Sequence, residues 1–204
     1  MSRRIAVLIV AALVAASGRA YAQETQSGPG KVEVTLIPGG GTFFLEKNGG
    51  DSFGNYEVGG AAAYNFTRIV GVEGEIGGSI GLSQNLMLGG VMSDVTSPNM
   101  LTYTGNVVAN VPTRHSVVPY ATAGVGGLTM YSKPELNLFT TETHFTGNVG
   151  GGVKWFAPNG RWGLRGDYRF IAVRAGSTGS DFFGVDTTRY ANRIYGAVII
   201  NAVR

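Results

Sequence analysis

The 204 residues include 33 glycines, no cysteine and few charges, 14% in all. Absent cysteine excludes a disulfide scaffold, a thiol nucleophile and a cysteine-ligated metal, and the length suits one domain. The basic excess, 16 Lys and Arg against 13 Asp and Glu, includes Arg3, Arg4 and Arg19 near the N-terminus, so the remainder is balanced and its charge points to no nucleic acid or acidic partner.

Arg3 and Arg4 precede an apolar run from Ile5 to Ala16, and Ala20-Tyr21-Ala22 has the small-x-small pattern of a signal-peptidase site. The run is shorter than the ~20 residues a spanning helix needs. Residues 1–22 are therefore expected to be an export signal cut before Gln23, residues 23–30 a short periplasmic lead-in, and residues 31–204 the folded domain.

From Lys31 onward one device recurs eight times: a glycine-rich stretch whose side chains alternate apolar and polar. The first strand, 31–44, sets Val32, Val34 and Leu36 against Glu33 and Thr35. A polar loop from Leu45 to Asn55 follows. The second strand, 56–66, sets Tyr56, Val58, Ala62, Tyr64 and Phe66 against Glu57 and Asn65, and Thr67-Arg68 reads as a two-residue hairpin turn. The third, 69–80, opposes Val70, Val72 and Ile76 to Glu73 and Glu75, and a long loop runs from Gly81 to Pro98. The fourth, 99–111, opposes Leu101, Tyr103, Val107 and Val111 to Thr102, Thr104, Asn106 and Asn110. After a turn at 112–116 the fifth runs from 117 to about 130. The loop 131–143 leads to the sixth, 144–156, with Phe145, Val149, Val153 and Trp155 opposite Thr146, Asn148 and Lys154.

Ala157-Pro158-Asn159-Gly160 is a tight turn by composition. The seventh strand is the clearest copy, with Trp162, Leu164, Gly166, Tyr168 and Phe170 on one face and Gly163, Arg165, Asp167 and Arg169 on the other. The loop 172–188 is long, and the eighth strand fills 189–203. Such two-sidedness fits a strand with lipid on one flank and a wet or ion-paired interior on the other.

Loop lengths alternate long and short, as in transmembrane barrels with short periplasmic turns and long outer loops. Eight strands then put both chain ends in the periplasm and the loops from Leu45, Gly81, Tyr131 and Ala172 outside. Aromatics near the strand ends form two belts: Phe43, Tyr56, Tyr103, Phe145 and Phe170 above, Tyr64, Phe66, Tyr120, Trp155 and Trp162 below. The expected fold is all-β, an eight-stranded antiparallel up-and-down transmembrane barrel. Glycine pairs such as Gly126-Gly127 are read as space for long charged side chains in a narrow lumen; no helix follows them to make a phosphate cradle.

Pro119-Tyr120-Ala121-Thr122-Ala123-Gly124-Val125-Gly126-Gly127, Gly147-Asn148-Val149-Gly150-Gly151-Gly152-Val153-Lys154-Trp155-Phe156 and Leu164-Arg165-Gly166-Asp167-Tyr168-Arg169-Phe170 resemble the fifth, sixth and seventh strands of the small outer-membrane β-barrel family that includes the OmpA transmembrane domain, OmpX and OmpW. The resemblance implies a Gram-negative outer-membrane location, a monomer, and as partners outer-membrane lipid, lipopolysaccharide and the assembly machinery. The family holds anchors, adhesins and narrow pores, so it implies no single activity. One departure is the end of the chain: such proteins usually finish on an aromatic residue read by the assembly machinery, and here the last four are Asn201-Ala202-Val203-Arg204.

Some barrels of this size modify lipid A with a histidine base beside a serine nucleophile. His115 falls in an expected periplasmic turn and His144 at the outer rim near Glu142, but no His-x-Ser pattern occurs. No catalytic, cofactor or metal residues are expected, since two distant histidines without clustered carboxylates make no metal site. The stronger constellation is inward-facing: Glu73, Glu75, Lys154, Arg165, Asp167 and Arg169. Lipid-facing charges would cost about 2–4 kcal/mol each at the midplane, so these belong in the lumen, where they must pair. The pairs are read as filling and plugging the barrel rather than forming a gate, so the expected role is structural or surface-interacting and non-enzymatic; a narrow channel or carrier for small hydrophobic or polar solutes and a rim-located lipid hydrolase are the rival functions. A soluble lipocalin-type barrel would invert the faces. Leu86, Met87, Leu88, Val91 and Met92 make the second outer loop apolar, and Phe182-Phe183 lie in the fourth between Asp181 and Asp186; they could pack over the mouth, dip into lipid or admit a hydrophobic ligand.

Overall fold

The computed structural model describes residues 28–46, 52–88, 91–136, 138–175 and 187–203. The proposed signal, residues 47–51, and the Phe182-Phe183 pair lie outside them. Among the described residues ten strands form: β1 (Val32–Phe44), β2 (Phe53–Asn65), β3 (Val70–Gly81), β4 (Ser83–Leu88), β5 (Val91–Thr96), β6 (Met100–Asn110), β7 (Val117–Met130), β8 (Glu142–Phe156), β9 (Trp162–Arg174) and β10 (Thr188–Val203). Eight close a barrel in the order β1-β10-β9-β8-β7-β6-β3-β2, every neighbour antiparallel. Closure leaves no edge strand, so backbone polar groups are paired along the whole circumference.

The barrel strands are 11 to 16 residues long, more than the ~9–11 that a bilayer crossing requires. Period-two alternation holds along them. Leu36, Val72, Ile76, Val107, Val149, Leu164 and Ile194 are exposed on the wall, whereas Glu33, Glu73, Glu75, Lys154, Arg165, Asp167 and Arg169 are buried inside. In β1 the parity changes midway. Glu33, Thr35 and Ile37 point inward before Pro38, Thr42 and Phe44 after it, and the register with both neighbours slips there. Proline has no amide hydrogen to give the ladder, so the strand bulges where it sits.

Four details depart from the sequence reading. The second long loop is not irregular: residues 83–96 fold into the separate β4–β5 hairpin. Its base is tied to β2 by Gln84, whose side-chain amide accepts from the Gly54 amide and donates to the Gly54 carbonyl, each at 2.9 Å. The Thr67-Arg68 turn is longer than two residues, spanning 66–69, because β2 stops at Asn65 and β3 starts at Val70; Thr67 Oγ1 accepts from the Ile69 and Val70 amides. Tyr120 belongs to no belt. It is buried in the lumen, on the inward parity of Val118 and Thr122. His144, at the outer rim, likewise turns inward and is 5% exposed. The other belt aromatics named above are exposed, and Trp155 and Trp162 meet edge to face at 5.5 Å.

Candidate functional site in the barrel lumen

The interior is layered. At the short-turn end, two asparagines from different strands hold the chain's entry segment. Asn65 Nδ2 donates to the Gly30 carbonyl at 2.7 Å, the Gly30 amide donates to Asn201 Oδ1 at 3.1 Å, and Asn201 Nδ2 donates to the Gly160 carbonyl at 2.7 Å. Above them Val118, Phe156 and Ile199 pack together as an apolar floor. Lys154 then reaches from β8 to Glu33 on β1, Nζ to Oε2 at 2.7 Å, with both side chains almost wholly buried.

The middle of the barrel holds four carboxylates, Glu57, Glu73, Glu75 and Asp167, and three guanidiniums, Arg165, Arg169 and Arg193, all buried. Arg165 pairs with Glu73, and with Asp167 at 2.7 Å. Arg169 meets three carboxylates: Glu73 at 2.8 Å, Glu75 at 2.9 Å and Asp167 at 3.0 Å. Arg193 pairs with Glu75 and lies 3.7 Å from Glu57. Glu57 also accepts from Thr42 at 2.8 Å and from Ser79 at 2.6 Å. Two phenols complete the set: Tyr120 donates to Asp167 and accepts from Arg165 Nε at 2.7 Å, and Tyr195 donates to Glu75 at 3.0 Å. Charges taken out of water are tolerated only when each finds such partners.

Glycine makes the geometry possible at one place in particular. Tyr120, Gly152 and Asp167 stand in register on β7, β8 and β9, so the phenol must cross the middle strand to reach the carboxylate. A Cβ at Gly152 would run into the Gly166 backbone carbonyl and would also lie 2.9 Å from Tyr120 Oη. The missing side chain is the space the tyrosine uses.

Of the six residues singled out from sequence, five meet in this cluster. Lys154 does not face Glu73 or Glu75; it sits a layer below with Glu33, although its Nζ is 5.3 Å from the Tyr120 ring. Glu57, Arg193, Tyr120 and Tyr195 were missed. The inward parity Arg189, Ala191, Arg193, Tyr195 in β10 was legible, but a side chain's partner across a barrel depends on shear, which one strand's pattern does not carry.

Towards the long-loop end the interior becomes apolar. Phe44, Phe53, Met100, Leu128, Met130, Ile171 and Val173 point inward and join Leu86 of the hairpin and Leu138 of the third loop in one buried cluster. The loop segments are bound down to the wall. Lys133 Nζ donates to the Thr96 carbonyl at 2.7 Å, and the Tyr131 amide donates to the Asn99 carbonyl at 3.0 Å. Leu86 thus settles its part of the apolar loop in favour of packing over the mouth, whereas Met92 is exposed. His144 borders this region with Nε2 3.5 Å from Glu142. His115 is exposed in the turn 111–116. The two histidines are thus at opposite ends, and no group of three or more His, Cys, Asp or Glu suited to a metal occurs among the described residues.

A closed antiparallel barrel with an apolar wall, two aromatic belts and a charged interior is a membrane-spanning β-barrel. The chain belongs to the outer membrane protein beta-barrel domain family, whose model matches residues 8–191, and it is an outer-membrane barrel. Its fold is similar to that of Neisserial surface protein A, with a TM-score of 0.60 and 12% identity over 84% of this chain and 97% of that one. It is also matched by Ail, the attachment invasion locus protein of Yersinia pestis, with a TM-score of 0.46 and 12% identity over 84% of this chain and 99% of the other. No curated protein matches the sequence.

Proposed function

We propose that this protein is a closed, non-enzymatic barrel with a structural or surface-interaction role in the Gram-negative outer membrane, its lumen plugged rather than conducting. The observation that carries the reading is the stack of Lys154–Glu33, the seven-residue ionic cluster and the apolar cap, each spanning the interior from several strands. A water path would have to break buried ion pairs and an apolar core in series. On this reading the short-turn end faces the periplasm, the β4–β5 hairpin faces outward, and the chain arrives by a signal cut before Gln23. Its surroundings are outer-membrane lipid and lipopolysaccharide after delivery by the assembly machinery, and it works as a monomer.

The test is liposome swelling. Proteoliposomes of the refolded protein should swell in small sugars no faster than empty vesicles. Rapid swelling would favour the narrow-channel reading instead. Incubation with lipid A should leave its acyl chains intact, and a loss of acyl chain that depends on His144 would overturn the non-enzymatic part.

A further inference from the structure

On the lipid-facing wall the period-two pattern leaves almost nothing polar. Among the described residues, the outward positions of the eight barrel strands carry one amide, Asn192, and one charge, Arg174; the rest are apolar, aromatic or glycine, with threonines only at the long-loop rim. The two exceptions stand on neighbouring strands near the same end. Arg174 of β9 pairs in register with Phe145 of β8, and Asn192 of β10 lies between Phe170 of β9 and Phe43 of β1. All three rings are exposed members of the upper belt.

Belt aromatics mark the depth at which lipid presents phosphates and acyl carbonyls, so both polar groups meet the bilayer where it offers polar partners. Asn192 is held for donation. Tyr168 Oη gives its hydrogen to Asn192 Oδ1 at 2.7 Å, which leaves Nδ2, without an acceptor among the described residues, on the lipid side. Phe170 stacks on Tyr190 beside it, ring centroids 5.4 Å apart, so the amide sits among rings rather than in open water. A donor in that setting is stabilised by an acceptor that the lipid brings. Arg174 supplies the complementary half, since its forked N–H groups match phosphate oxygens. Between the two, Gly147 and Ala172 pair in register, and a Cβ at Gly147 would meet nothing, so the wall is open from one polar group to the other.

We propose that Arg174 and Asn192 form a site for the headgroup of lipid A, the phosphorylated and acylated glucosamine lipid. Arg174 takes a phosphate, and Asn192 Nδ2 donates to an acyl carbonyl or hydroxyl lying deeper. The site rests on the reading above that the long-loop end faces the outer leaflet and that lipopolysaccharide surrounds the barrel there; it does not depend on whether the lumen conducts. A second copy of the chain is the poorer occupant, because the outward positions of the described strands carry no carboxylate to meet Arg174.

The experiment refolds the full mature chain into phosphatidylcholine vesicles containing equal small amounts of lipid A and phosphatidylglycerol, releases it, and reads the lipid that stays bound by native mass spectrometry. The wild type should retain lipid A in preference to phosphatidylglycerol. Arg174→Gln and Asn192→Leu should each lower lipid A retention about fivefold, and Arg161→Gln at the other rim should leave it unchanged. Lipid A stripped of its phosphates should be held about fivefold less by the wild type. With that lipid Arg174→Gln should make no further difference, whereas Asn192→Leu still should. Retention that ignores both substitutions, or phosphatidylglycerol held as well as lipid A, would overturn the proposal, as would an Asn192-dependent dimer. The dephosphorylated lipid tests the wild type itself, so a misfolded variant does not leave the question open. Thiol labelling at Asp94 checks orientation separately: inverted labelling would fail the outward reading, whereas outward labelling without lipid A retention would fail the site alone.

Discussion

Arg169→Met removes the guanidinium that joins three carboxylates while keeping most of the side-chain volume. Glu73, Glu75 and Asp167 would each lose a contact between 2.8 and 3.0 Å. None is left bare: Glu73 keeps Arg165, Glu75 keeps Arg193 and Tyr195, and Asp167 keeps Arg165 and Tyr120. The central cluster would nevertheless change from four carboxylates against three guanidiniums to four against two, in a place where Arg169 is 0% exposed. Breaking a buried pair by removing one partner costs about 3–5 kcal/mol, and the surviving contacts place this case near the lower bound, about 3 kcal/mol or two orders of magnitude in the folding constant. Urea unfolding from lipid vesicles, followed by the fluorescence of Trp155 and Trp162, measures it. Adding Glu75→Gln should return part of the loss, since the two sites are coupled. A loss below about 1 kcal/mol would match a hydrated surface pair and would refute the argument that the cluster is dry.

Three further outcomes follow from other layers. Lys154→Met alone and Glu33→Gln alone should each destabilise more than the two together, because each single change strands a buried partner; equal or additive losses in a double-mutant cycle would show that Lys154 and Glu33 do not depend on each other. Gly152→Val should cost about 1–3 kcal/mol or more by pressing on the Gly166 backbone carbonyl and on the Tyr120 phenol that reaches Asp167, and an unchanged unfolding midpoint would remove the steric role given to that glycine. Met130→Ala, in the fully buried part of the cap, should cost about 2–5 kcal/mol, and a negligible loss would mean that the mouth is not a packed core. For orientation, single cysteines at Asp94 should react with an impermeant thiol reagent on whole cells and those at Thr67 and Asn159 should not; labelling at Asn159 would reverse the topology.

Strand number, order and sidedness were legible because a lipid-facing barrel repeats one constraint along every strand. Val72 and Ile76 had to oppose Glu73 and Glu75 whichever strands lay beside them. Partners were less legible. Lys154 could be placed inside from its neighbours Val153 and Trp155, but that it meets Glu33 follows from stagger around the closed sheet. Tyr120 reads as a belt aromatic because an amphipathic ring at a strand end serves either face; only its shared parity with Val118 and Thr122, and the space left at Gly152, fix it inward. The β4–β5 hairpin was hidden for a related reason. Leu86 and Met92 make a loop look apolar; its pairing is local, Leu86 opposite Ser93, but the burial of Leu86 against the mouth depends on strands far away in sequence. The apolar cap itself breaks the rule that polar means inside: the strands outrun the bilayer, and near the long loops the interior is an ordinary packed core.

The most direct test of the closed lumen is planar-bilayer recording from the refolded wild-type protein. The account predicts no steady conductance above the bare-membrane baseline, with openings appearing only when the ionic cluster is broken, as in Arg169→Met. Stable, ohmic conductance from the unmutated protein would contradict it.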